Sequence, residues 1–126
     1  MKRGSDLEEI SQLIIKHIEN RRRRVQEFSP ASPTEWRPHA VKNPLTDCPY
    51  TDQDAWHLIC DTLKIGQSLE SVEMRRAKGV TAYSMVIRRK VGGPAIYAKV
   101  SLGSDYVLGW SFHEDKPRTG KKRIVS

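Results

Sequence analysis

Tyr97, Lys99, Ser101, Ser111 and His113 are the residues whose types and spacing suit chemistry, because two-residue alternation gathers them on one face of a hairpin. In the stretch 95–114, Ile96, Ala98, Val100 and Leu102 share one face, while Tyr97, Lys99 and Ser101 share the other. Gly103-Ser104-Asp105 is a turn. Pairing Leu102 with Tyr106 across it sets Val100 against Leu108, Ala98 against Trp110 and Ile96 against Phe112. That register places Tyr97 opposite Ser111, with His113 two residues further along the same face. Cleaving an RNA phosphodiester without a metal needs a base for the ribose 2′-hydroxyl, cations for the phosphorane and an acid for the leaving 5′-oxygen. His113 can serve as acid or base, Lys99 and Arg88 can hold phosphate, and Tyr97 can donate a hydrogen bond, stack on a base or relay a proton. No carboxylate is seen to orient His113 toward Ser111, which argues against a covalent serine mechanism. The bland alternative is that Tyr, Lys and Ser simply suit a half-solvated antiparallel face.

The elements that must position these residues are legible in the rest of the chain. Ser5-Asp6-Leu7-Glu8 matches a capping box, and Leu7, Ile10, Leu13, Ile14, Ile18, Val25 and Phe28 recur at helical spacing, predicting a first helix from about Ser5 to Glu27. Its far end carries Arg21, Arg22, Arg23 and Arg24, which complement the helix dipole and can grip phosphates. Five prolines between Ser29 and Tyr50 exclude helix and central strand there, and Trp36, His39, Val41 and Leu45 predict a loop that wraps the body. Thr51 caps a second helix with Ala55, Leu58, Ile59, Thr62 and Leu63 as its apolar stripe, ended by Gly66. Leu69, Val72 and Met74 suggest a short strand and 80–90 a longer one, joined through the basic Arg75, Arg76 and Lys78. Closing the hairpin at Val91-Gly92-Gly93-Pro94 sets Ile87 against Ile96, Met85 against Ala98, Tyr83 against Val100 and Ser84 against Lys99, with Arg88 beside Ala95.

Composition bounds the reading. With 126 residues, the chain is expected to form a single α+β domain over 1–113, with a Pro-rich loop at 29–50 and a basic flexible tail at 114–126. A net charge of +7 favours a polyanionic partner. No apolar run approaches the roughly 20 residues of a membrane helix, and the first residues lack a signal peptide's apolar stretch, so a cytoplasmic protein without membrane association is expected. Cys48 and Cys60, with His39 and His57, make only a loose metal set, and no cofactor or metal site is expected.

Ile96-Tyr97-Ala98-Lys99-Val100 and Val107-Leu108-Gly109-Trp110-Ser111-Phe112-His113 resemble the C-terminal hairpin of the MqsR toxins, within the wider RelE-like group of messenger-RNA endonucleases. In that family a Tyr-x-Lys strand pairs with a final strand ending Ser-Phe-Lys, and its tyrosine and terminal lysine are catalytic. The resemblance implies that Tyr97 takes the tyrosine's place and His113 that of the lysine. It implies two N-terminal helices packed on one face of a three- to four-stranded antiparallel sheet, RNA on the other face, and an acidic antitoxin protein as partner. The expected function is a metal-independent RNA endonuclease or a degenerate relative. Its catalytic residues are Tyr97, His113, Lys99 and Arg88, and its RNA-binding residues Arg21, Arg22, Arg23, Arg24, Arg75, Arg76 and Lys78. A non-catalytic nucleic-acid-binding module and a protein-interaction domain are the alternatives.

Overall fold

The computed structural model describes residues 4–25, 35–74, 79–88 and 94–115. Chain order is α1 (Gly4–Glu19), β1 (Arg23–Val25), β2 (Glu35–Trp36), a 3-10 turn (Pro38–Ala40), β3 (Lys42–Asn43), β4 (Cys48–Pro49), α2 (Asp52–Lys64), β5 (Glu70–Glu73), β6 (Thr81–Ile87), β7 (Ile96–Leu102) and β8 (Val107–Glu114). The basic segment at 75–78, including Arg75, Arg76 and Lys78, the hairpin loop at 89–93 and the tail at 116–126 lie outside the described residues.

The first helix is shorter than its periodicity predicts. It ends at Glu19 in a Schellman turn, with the Arg22 N–H donating to the His17 carbonyl at 2.8 Å and the Arg21 N–H to that of Ile18 at 3.1 Å. Arg21 takes φ 60° to make this turn, the position glycine normally fills. Gly66 makes the same turn after α2 at φ 100°, where no Cβ opposes it. The N-terminus of α2 is closed by a reciprocal capping box between Thr51 and Asp54, as the sequence predicts.

The expected architecture of two N-terminal helices on a three- to four-stranded antiparallel sheet is corrected on two points. Only α1 is N-terminal, because the segment 35–50 comes between it and α2. The sheet is six-stranded and mixed: β5, β6, β7 and β8 run antiparallel, and both β1 and β2 add to the free edge of β8 in parallel. Val25, expected on the helix stripe, instead pairs with Gly109 in β1. The physical reason is long range, since β8 offers unpaired backbone groups that two short segments satisfy.

Both helices cover one sheet face. Ile14, Ile15 and Ile18 of α1 and Ala55, Trp56, Ile59, Cys60 and Leu63 of α2 join Ile87, Ile96, Ala98, Val100, Val107 and Phe112 in one core. Each large aliphatic side chain buried there contributes about 1.5–3 kcal/mol. Trp36 and Tyr50 from the proline-rich segment complete it, with ring centroids 4.7 Å between Trp36 and Trp56 and 5.6 Å between Tyr50 and Phe112. Val41 is buried as the wrapping loop requires, whereas Leu45 is 76% exposed at the tip of the small β3–β4 hairpin. Among the described residues no helix is long and apolar enough to cross a membrane.

Candidate functional site

The β6–β7 register matches the one read from the sequence: Ile87 pairs with Ile96, Met85 with Ala98, Ser84 with Lys99 and Tyr83 with Val100. The β7–β8 register does not. Leu102 pairs with Val107, Val100 with Gly109, Lys99 with Ser111, Ala98 with Phe112 and Tyr97 with His113. Two causes act together. Tyr106 stays in the turn, where its carbonyl accepts the Gly103 N–H at 2.8 Å, and a bulge beside Lys99 and Val100 leaves Trp110 without a partner residue. The shift pairs Tyr97 directly with His113, their rings 5.4 Å apart at 31°. Ser111 moves beside Lys99.

The face turned away from the helices therefore carries Tyr97, Lys99, Ser111 and His113 together. Arg88 is exposed one residue beyond β6, at the end of the sheet where Tyr97 and His113 lie. The reactive side chains sit over a floor of small residues, Ser84, Ser101 and Ser111, all buried.

Sequence reasoning missed the carboxylate. Glu35 of β2 pairs with Ser111 in the sheet, and Ser111 Oγ donates to Glu35 Oε1 at 3.3 Å. The same oxygen lies 3.7 Å from His113 Nε2, with side chains 58% and 36% exposed. His113 Nδ1 is 2.9 Å from the Glu114 carbonyl oxygen, which can only accept, and the Nε2 side of the ring faces the Glu35 carboxylate. Ser111 is almost fully buried and its hydroxyl serves Glu35, which makes it a support for the carboxylate rather than a nucleophile. A two-residue strand gives no readable alternation, so nothing local in the sequence marks Glu35.

Burial raises the Tyr97 phenol above its ordinary value; a hydrogen bond with Ser84 opposes the shift, and the carboxylates of Glu35, Asp115 and Glu70 add to it. At neutral pH Tyr97 is a neutral phenol and a hydrogen-bond donor.

The arginine run divides between two sides of the molecule. Arg23 donates to the Ile18 carbonyl at 3.4 Å and, with Arg21, His57, Cys60 and Lys64, lines a cleft of about 400 Å³ on the helix side. Arg24 pairs with Leu108 in the sheet and lies 4.2 Å over the Tyr106 ring, and Arg22 forms an ion pair with Asp105. These residues flank the Val107 end of β8, six residues and about 20 Å from His113 at ordinary strand rise. Cys60 is buried, which pushes its thiol up, while Cys48 is exposed; among the described residues no three His, Cys, Asp or Glu side chains gather as a metal-binding group. Comparison with protein-family models, curated proteins and solved structures finds no match to this chain.

Proposed function

We propose that the protein is a metal-independent RNA endonuclease of the RelE/MqsR toxin type. One observation carries the reading: Tyr97, Lys99 and His113 share the sheet face opposite the helices with a carboxylate oxygen 3.7 Å from His113 Nε2. In this reading Glu35 accepts the proton of the ribose 2′-hydroxyl as that oxygen attacks phosphorus. His113 gives its Nε2 proton to the leaving 5′-oxygen, the P–O5′ bond breaks, and the products are a 2′,3′-cyclic phosphate and a 5′-hydroxyl. Lys99 and Arg88 stabilise the charge on the phosphorane, and the neutral Tyr97 phenol donates to a phosphoryl oxygen. Exchange with water returns both groups to their starting protonation. Of the arginines at 21–24, Arg24 on the sheet side is proposed to hold the RNA backbone, together with Arg75, Arg76 and Lys78, and the net charge of +7 suits an acidic antitoxin as protein partner.

The test is an RNA cleavage assay with the purified protein in chelator, with product ends analysed. Cleavage leaving 2′,3′-cyclic phosphate, reduced about 10²- to 10⁴-fold by His113→Ala, is expected. Intact RNA at all protein concentrations overturns the enzyme, and retained binding with no cleavage selects the non-catalytic nucleic-acid module.

A further inference from the structure

One large aromatic on the open face takes no part in that chemistry. Trp110 is the extra residue of the β8 bulge, and it leaves the core pattern to lie partly buried on the side opposite the helices. Its Nε1 donates to Ser101 Oγ at 2.8 Å, which pins the indole over the floor between β7 and β8 and buries Ser101 beneath it. A core role is filled elsewhere, since Trp36 and Trp56 are 4% and 3% exposed and belong to the helix side. The open face thus runs in rows two residues apart, about 6–7 Å at strand rise. Tyr97 and His113 form the first row, Lys99 and Ser111 the second, Ser101 with the Trp110 indole the third.

A cation flanked on one side by an acid–base pair and on the other by a fixed aromatic surface is the arrangement that holds a phosphate with an unpaired base beside it. We infer that Trp110 is a base-stacking subsite for single-stranded RNA, taking the nucleobase next to the phosphate held at Lys99. This rests on the proposed endonuclease reading for the identity of the strand, and it adds a requirement that reading lacks: the substrate must present an unpaired base at this position. A duplex keeps its bases stacked on each other and offers the Trp110 surface only its backbone. The Nε1 hydrogen bond fixes the indole before the strand arrives, so little side-chain freedom is lost on stacking.

The chain has three tryptophans, and two are buried, so emission changes on ligand binding report Trp110. The probe is a short single-stranded oligodeoxynucleotide of mixed sequence, which lacks the 2′-hydroxyl and is not cleaved, compared with the same strand annealed to its complement. Quenching by the single strand and none by the duplex is expected, with binding of the strand by Trp110→Leu, followed by fluorescence anisotropy of a labelled strand, weakened roughly tenfold. Trp110→Phe, which keeps a ring, is expected to retain most of the affinity, and its circular dichroism checks the fold independently. Quenching without RNA cleavage by the wild type supports the subsite and removes the endonuclease. Cleavage of RNA with no quenching, or strand affinity unchanged in Trp110→Leu, overturns the subsite and leaves the endonuclease standing.

Discussion

At the scale of single residues, the bulge at Trp110 decides what Tyr97 touches. Without it the observed turn would set Tyr97 against Phe112; with it the phenol stands against the His113 imidazole, and Glu35 reaches both Ser111 and His113 from the neighbouring strand. The raised pKa of Tyr97, caused first by burial, makes a stability prediction of definite sign. The unfolded chain releases the phenolic proton near pH 10, earlier than the folded one. The contribution of this group to stability is therefore complete below about pH 10 and is lost as pH rises through the folded value. Denaturant titrations of wild type and Tyr97→Phe are expected to differ by a constant amount from neutrality to about pH 10 and then to converge or cross, because the variant has no proton to lose there. A constant difference through the alkaline range would place Tyr97 in a solvated position. In the cleavage assay the same variant, keeping the ring and losing the donor, is expected to be slower by about 10-fold or more if the phenol donates to phosphate.

At the scale of elements, local and long-range information separate clearly. The β6–β7 register was readable because both strands alternate without interruption and apolar side chains meet in only one alignment. The β7–β8 register was not, because reading a three-residue turn missed Tyr106 folding back over Gly103, and a bulge has no composition signal. The end of α1 was hidden by an arginine doing a glycine's work. Arg21→Gly at φ 60° is expected to stabilise the protein by about 0.5–1 kcal/mol, measured as a shift in denaturant midpoint. Gly109 carries the opposite case. A Cβ there would lie 2.6 Å from the ring of Trp36 in β2. Gly109→Ala is expected to cost about 1–3 kcal/mol. Because Trp36 adjoins Glu35, the same substitution is also expected to disturb the carboxylate beside His113, so cleavage should fall further than the loss of folded protein explains. Cleavage that merely tracks the folded fraction would mean that Glu35 keeps its place without Trp36.

For the whole molecule, the net charge of +7 says a polyanion is welcome and nothing about where it sits. The fold divides the cations. Lys99 and Arg88 lie at the reactive end of the open face, Arg24 lies on Tyr106 at the far end, and Arg21 and Arg23 line the cleft on the helix side. A strand bound at His113 alone meets about two cations, for which counterion release gives a slope of log affinity against log salt near −1.4. A strand long enough to cross the roughly 20 Å to the Val107 end of β8 adds Arg24 and steepens the slope by about 0.7. Lys99→Ala is therefore expected to flatten the salt dependence for short and long single strands alike, Arg24→Ala only for long ones, and Arg23→Ala for neither. Equal effects of all three substitutions at every strand length would show that the whole basic surface attracts RNA diffusely, and that the open face holds no defined path for the strand.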